Sequence, residues 1–254
     1  MSTDRFSVDG RPTVVTGASS GIGRAVAEQF AAAGAPLAIC SRTADNIEPV
    51  ADSIREAGGE AIAVECDVRE RAAVEAFIDE TVETLGGIDV LVNNAGASFM
   101  AGFEDISPNG WATIVESNLT GTYHCTQAAA DPLQDSGGAV INLASVAGRD
   151  GAPYMSHYGA AKAGIMNLTR SLAHEWADRG VRVNCVAPGF IATPGLASQM
   201  GIDAEEVDRE EVDRRIGVSA EIADVVQFLA SPAASFLTGE TVAPAGVPDI
   251  LETP

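Results

Sequence analysis

The sequence predicts an α/β fold, a doubly wound parallel sheet of about seven strands with helices on both faces. Three observations carry this. Short apolar runs alternate with longer amphipathic stretches along the chain, the rhythm of successive βαβ units. Most of the runs are continuously apolar rather than alternating, as strands covered on both faces require. Glycines fall where the amphipathic stretches should end, at Gly34, Gly58, Gly59, Gly86, Gly87, Gly137, Gly138 and Gly180. That is the usual place of a left-handed cap.

In order, strands are expected at 13–16, 36–40, 61–65, 88–92, 139–143, 181–186 and 241–245. Helices are expected near 21–33, 45–57, 69–85, 107–130, 155–178 and 220–230. The text has no internal repeat, low-complexity tract or linker, so residues 1–254 read as a single domain. The stretch near 190–219 is less regular and carries Asp203, Glu205, Glu206, Asp208, Glu210, Glu211 and Asp213. A mobile helical insert with a solvated acidic face is expected there.

Composition narrows the function classes. With 36 acidic and 15 basic residues the formal charge is −21, while 46% of residues are hydrophobic. That apolar share is too high for a disordered chain. There is no basic face for nucleic acid. No apolar run approaches the ~20 residues of a membrane span, and no secretory signal is visible. Cys40, Cys66, Cys125 and Cys185 are far apart in apolar text and read as reduced core residues, so a cytoplasmic location is expected. No metal-ligand spacing surrounds His124, His157 or His174. Of the basic residues fourteen are Arg and one is Lys, Lys162. An acidic surface nearly stripped of Lys resembles halophile proteins, in which molar salt screens the carboxylates over ~3 Å.

The first strand runs into Thr16-Gly17-Ala18-Ser19-Ser20-Gly21-Ile22-Gly23-Arg24 and then a helix. Glycines allow the tight turn, and the N–H groups at the helix start favour a pyrophosphate. At the end of strand two, Ser41 and Arg42 stand where an acidic residue would bind the ribose of NAD. Arg42 offers a fork for a 2′-phosphate and Ser41 a hydroxyl, so NADP(H) is favoured over NAD(H). Asp67, followed by Val68, suits either an adenine amino group or the N-cap of the next helix. Tyr158 and Lys162 lie four residues apart, on one helix face, where a cation would lower the phenol pKa. Lys162 is the single Lys, and Ser145, 13 residues before Tyr158, follows strand five.

These residues, with Asn93-Asn94-Ala95-Gly96 after strand four, Asn118, and Pro188-Gly189 after strand six, give the sequence its resemblance to the short-chain dehydrogenase/reductase family, to about residue 242. The resemblance implies a Rossmann-type fold and an NAD(P)-dependent oxidoreductase. It implies that Tyr158 is the general acid/base, Ser145 holds the carbonyl oxygen, and Lys162 lowers the Tyr158 pKa and binds the nicotinamide ribose. It implies that Asn118 holds a water in the relay that refills Tyr158. Asn94, Ala95 and Gly96 would pack on the cofactor, Asn93 would mainly tie strands, and Pro188, Gly189, Ile191 and Thr193 would shape the nicotinamide side.

The last strand departs from the family's Asp-Gly-Gly-like turn and reads Val242-Ala243-Pro244-Ala245-Gly246. Ala97, Ser98, Phe99, Met100, Val146, Phe190, Leu196 and Met200 are expected at a largely apolar substrate pocket. That suits a 3-oxoacyl thioester or similar ketone; an alcohol or sugar dehydrogenase is the alternative, and a non-catalytic NADP-binding module a remote one. Arg149, Arg209, Arg214 and Arg215 are candidates for substrate phosphates or for plain solvated charges. By resemblance the assembly is a homotetramer, with apolar residues such as Ile165, Leu168 and Leu172 at a helix pair between subunits or merely covering the sheet.

Overall fold

The computed structural model describes residues 3–196, 201, 204–214 and 216–247. The chain alternates strand and helix from the start: β1 (Thr13–Thr16), α1 (Gly21–Ala32), β2 (Leu37–Ser41), α2 (Ala44–Glu56), β3 (Ala61–Glu65), α3 (Arg71–Leu85) and β4 (Val90–Asn93). The second half runs α4 (Pro108–Val115), α5 (Gly121–Ala128), α6 (Ala130–Ser136), β5 (Ala139–Leu143), α7 (Ala147–Asp150), α8 (Ser156–Glu175) and β6 (Arg182–Val186). It closes with β7 (Phe190–Ala192), β8 (Ile216–Val218), α9 (Ser219–Ala230) and β9 (Thr241–Val242). Seven strands make one parallel sheet in the order β3-β2-β1-β4-β5-β6-β9, so the winding reverses between β1 and β4.

The expected strands lie within two residues of the observed ones except the last. There the strand ends at Val242, although ladder-like bonding to the segment after β6 runs on, with the Pro244 carbonyl accepting the Gly189 N–H at 3.0 Å. The helix expected at 107–130 is not continuous. A wider, π-type turn at Glu116–Thr120 interrupts it. Side chains bond nearby carbonyls: Ser117 Oγ donates to Thr113 O at 2.6 Å, and Asn118 Nδ2 to Ile114 O at 2.9 Å. Such turns gather at functional positions because they re-aim one side chain.

The stretch near 190–219 begins and ends in strand rather than helix. Phe190, Ile191, Ile216 and Val218 are aromatic or β-branched, and β7 pairs with β8 as a parallel ribbon. Within it, among the described residues, lie a helical turn at 194–196 and a 3₁₀ turn, Ala204–Glu206. Met200, Asp203 and Arg215 lie outside the described residues.

One face of the sheet is covered by α1, α2 and α9, with Phe30, Ile47, Ile54, Ile222 and Leu229 buried against Leu37, Ile39, Val92 and Ile141. The other carries Phe77, Cys125, Leu133 and Trp176 against Val14, Ala38, Leu91 and Val183. Each fully buried large apolar side chain favours the fold by roughly 1.5–3 kcal/mol. Ile165 is buried and Leu172 packs on this second cluster. Ile165 therefore covers the protein's own sheet, and Leu172 does so in part. Asn93 does tie strands: its Nδ2 donates to Asn142 Oδ1 and Thr126 Oγ1, both at 2.9 Å, and Asn142 reaches Thr169 in turn. All four cysteines are buried and unpaired. No helix among the described residues is long and apolar enough to cross a membrane.

Candidate active site

A cleft of about 530 Å³ opens at the carboxyl ends of the strands, across the β1/β4 reversal. Ligands of open α/β sheets bind at such switch points, because the loops from the two sides part there. The turn after β1 forms one wall. Gly17 has φ +66°, and a Cβ there would sit 2.8 Å from Ala95 Cα. A Cβ on Gly23 would sit 2.3 Å from Asn94 Nδ2. Asn94 secures this approach, donating through Nδ2 to Thr16 O at 3.0 Å and Gly17 O at 2.9 Å. Ser19, Ser20, Gly21 and Ile22 line the cleft, and no side chain caps the first turn of α1. Thr193 lies over the turn, its Cγ2 3.3 Å from where a Gly21 Cβ would stand.

Ser41, Arg42, Asp67 and Val68 line the far end. Ser41 is buried, and its hydroxyl donates to Thr43 O at 2.8 Å, so its proton is committed within the chain. Arg42 is exposed at the rim and, among the described residues, makes no hydrogen bond through its guanidinium. The Asp67 carboxylate is gripped by Arg69, with Nη2 at 2.6 Å and Nε at 3.0 and 3.1 Å. Arg69, and more weakly Arg42, holds that carboxyl below the usual range. The N-cap expectation for Asp67 fails, since α3 starts at Arg71 with Glu70 as the capping position.

The catalytic candidates converge at the other end. Tyr158 and Lys162 rise from one face of α8, with Nζ 5.5 Å from the centre of the phenol ring. The Ser145 side chain lies close enough to the Tyr158 hydroxyl to draw its pKa down. Ser145 Oγ also accepts the Ala147 N–H at 3.2 Å, which begins α7. Glycines let α7 lie directly on α8: a Cβ on Gly148 would be 2.6 Å from Ala163 N, and one on Gly159 3.0 Å from Ala147 O. Ser145 is thus positioned against Tyr158 by packing as well as by its own bond.

Lys162 is buried and donates to Leu143 O at 2.7 Å. Burial lowers its pKa to about 8. Burial raises the Tyr158 pKa, and the nearby Ser145 hydroxyl opposes it. The Lys162 ammonium donates to Leu143 O while it lies beside the Tyr158 ring. Asn118 is aimed by the π-type turn; its Nδ2 donates to Ala97 O at 2.8 Å, and its Oδ1 is buried without a protein partner. Gly96 lies between the two: a Cβ there would be 2.5 Å from Asn118 Oδ1 and 3.6 Å from Lys162 Nζ.

Asn94, Ala95, Gly96, Pro188 and Thr193 line the cleft as expected, whereas Gly23, Gly189 and Ile191 do not. Gly23 supports the turn from behind. Gly189 packs on Ala245, which a Cβ would approach to 2.9 Å. Ile191 is buried in the core cluster beneath β7. Cys66, Ser117, Leu143, Ala144, Pro194 and Gly195 also line the cleft and were not foreseen. The signal for Cys66, Leu143 and Ala144 was their place at strand carboxyl ends.

On the substrate side Ala97 and Ser98 line the cleft, and Met100 and Phe190 are exposed. Phe99 instead turns inward, its ring 4.2 Å from that of the buried His157. His157 thus points away from the reacting groups, as its place beside Tyr158 on the helix requires. Arg149 is paired with Asp150 at 2.7 and 2.8 Å, and Arg214 is bidentate to Glu221. Neither is free for a substrate phosphate.

A family model described as enoyl-(acyl carrier protein) reductase matches residues 17–246. The short-chain reductase protein NovJ of Streptomyces niveus is 41% identical over 237 residues, covering 90% of each chain. The chain is a short-chain dehydrogenase/reductase. The 3-oxoacyl-(acyl-carrier-protein) reductase FabG of Staphylococcus epidermidis is 37% identical over 235 residues, 91% of this chain and 96% of that one. A short-chain type dehydrogenase/reductase from Mycobacterium marinum superposes with TM-score 0.87 at 35% identity, over 96% of this chain and 97% of that one. The 7α-hydroxysteroid dehydrogenase complexed with NADH and 7-oxo glycochenodeoxycholic acid superposes with TM-score 0.89 at 31% identity, over 98% and 99%. This short-chain dehydrogenase/reductase is an NAD(P)-dependent oxidoreductase. Its cleft fits such a cofactor: the glycine turn leaves room only for backbone, and the uncapped start of α1 faces into it.

Proposed function

We propose that this enzyme reduces the carbonyl of a medium-sized, largely apolar ketone, 3-oxoacyl thioesters included, with NADPH, and that Tyr158 delivers the proton. The observation that carries the reading is Tyr158 beside Lys162 in the cleft, with Ser145 close to the phenol, and a far rim that presents Arg42 rather than a carboxylate.

The reduced nicotinamide, when bound, supplies the hydride. Ser145 donates to the carbonyl oxygen as negative charge grows on it, a preorganised electrostatic contact. Tyr158, kept protonated by burial, gives its proton to the same oxygen. Lys162, charged below about pH 8, stabilises the phenolate left behind. Asn118 and Lys162, which meet at Gly96, carry the route by which the phenol regains its proton. A phenol that holds its proton across the neutral range favours the reductive direction.

The exposed Met100, Phe103 and Tyr154 lie on two loops joined by the Ala101 N–H to Tyr154 O bond at 2.9 Å, an apolar rim suited to such a ketone. Arg149 and Arg214 are engaged by carboxylates, so among the described candidates the exposed Arg209 remains the one available to a substrate phosphate, in addition to that rim. We also propose that the protein works in the cytoplasm as a homotetramer, and that its −21 charge demands high salt. The deciding experiment follows NADPH oxidation with acetoacetyl thioesters, simple ketones and aldoses, and repeats it with NADH. Turnover of the ketones and thioesters with NADPH is expected; turnover of a sugar alone would overturn the substrate class.

A further inference from the structure

Three of the four buried thiols gather beneath the far end of the cleft, outside the proton chemistry. Cys40 lies on β2, Cys66 directly follows β3, and Cys125 lies on α5; all belong to one buried cluster. Cys40 is the register partner of Val64, and the ladder runs on, with Cys66 N–H donating to Ser41 O at 2.8 Å. Cys66 is two residues past Val64, so it shares the sheet face of Cys40. The two side chains are diagonal neighbours across β2 and the end of β3 and interact electrostatically, and Cys125 lies within electrostatic reach of both. Only Cys66 of the three lines the cleft, immediately before Asp67 and Val68. The Cys40 carbonyl accepts the Ala18 N–H of the glycine turn at 3.1 Å.

We propose that Cys66 and Cys40 are an oxidisable pair that a peroxide closes into a disulfide, and that bound dinucleotide shields the pair while the disulfide weakens dinucleotide binding. The Cys66 thiolate attacks one peroxide oxygen, the O–O bond breaks, and Cys66 sulfenic acid and hydroxide form. The Cys40 thiol then attacks the Cys66 sulfur and displaces the hydroxyl, which leaves as water with the Cys40 proton. Two thiols are oxidised and one peroxide is reduced to two waters. Cys66 suits the first step because it alone of the three lines the cleft, where a peroxide reaches it; Cys40 beside it also holds its thiol below the ordinary range, while burial pushes Cys125 up. Closure draws the segment bearing Asp67 and Val68 onto β2, whose Cys40 carbonyl also anchors the glycine turn. The coupling to dinucleotide rests on the proposed nucleotide reading of this end of the cleft; the disulfide itself does not.

The test exposes the reduced full-length protein to stoichiometric hydrogen peroxide, with and without saturating NADP⁺. Intact mass is read against time, and NADP⁺ binding is titrated separately on reduced and oxidised protein. Arg42 and Arg55 place Cys40 and Cys66 in different tryptic peptides, so the linkage is read directly. A mass loss of about 2 Da is expected, with the Cys40 and Cys66 peptides joined and the change reversed by dithiothreitol. NADP⁺ should slow it by roughly tenfold or more, and the oxidised protein should bind NADP⁺ about tenfold more weakly. Cys125→Ser should keep the cross-link, and Cys40→Ser should instead accumulate oxygen adducts on Cys66. No mass loss from the unsubstituted protein, or a cross-link through Cys125, would overturn the pair. Equal oxidation rates with NADP⁺ demonstrably bound would overturn the shielding. Failure of the reduced protein to bind NADP⁺ would strike the nucleotide reading instead.

Discussion

Arg42→Asp changes the group at the rim of the cleft where the 2′-phosphate of NADPH would rest. In the present structure the Arg42 guanidinium makes no hydrogen bond among the described residues, so its donors are open to a ligand. A charge-assisted hydrogen bond contributes ~1.5–3 kcal/mol, and exposure at the rim argues for the lower half of that range. Losing it weakens NADPH by ~2 kcal/mol, roughly 30-fold. The new carboxylate lies near Asp67, whose charge Arg42 otherwise helps to stabilise, so repulsion of the phosphate adds to the loss. The same carboxylate accepts bonds from the free ribose hydroxyls of NADH and improves that cofactor. The ratio of kcat/KM for NADPH over NADH should therefore fall by roughly 100-fold or more. Initial rates with each cofactor at fixed ketone give the ratio. A ratio unchanged within threefold would refute the phosphate role of Arg42.

Burial lowers the Lys162 pKa to about 8, so its charge is present below that pH and lost above it. Reductive kcat/KM should be flat through neutrality and fall above about pH 8, with no limb from Tyr158 because its pKa is raised; a rate still climbing at pH 9 would contradict this. Gly96→Ala puts a methyl 2.5 Å from Asn118 Oδ1 and 3.6 Å from Lys162 Nζ, and should lower kcat about tenfold, or ~1.4 kcal/mol. Steady-state rates beside a melting curve check that turnover falls more than stability does. Raising KCl from about 0.1 to 3 M shortens the screening length from ~10 Å to a few ångströms. The midpoint of thermal unfolding should rise by roughly 10 °C or more, and equal stability in dilute buffer would argue against a salt requirement.

The parallel sheet was legible because its strands are continuously apolar and its helices end in glycine. Gly34, Gly58, Gly86, Gly137 and Gly180 all adopt positive φ. Tyr158, Lys162 and Ser145 were legible from spacing and from the solitary Lys. Asn118 could be placed on a helix, but its aim could not, since a π-type turn depends on side chains bonding Thr113 and Ile114 carbonyls. In the stretch near 190–219 the described residues carry helical turns at 194–196 and 204–206, but the flanking strands were not legible, because Phe190 and Ile216, which pair them, are far apart in sequence. The Leu143 contact of Lys162 and the thiol cluster arise from tertiary neighbours, which no local pattern encodes.

The proton donor is tested most directly by Tyr158→Phe, with single-turnover reduction measured beside a fluorescence titration of NADPH. Removing only the hydroxyl leaves the ring in its cavity, so cofactor affinity should stay within about twofold while the chemical step slows by roughly 10³-fold or more. A variant that binds NADPH normally and still reduces the ketone at near the parent rate would contradict the role assigned to Tyr158.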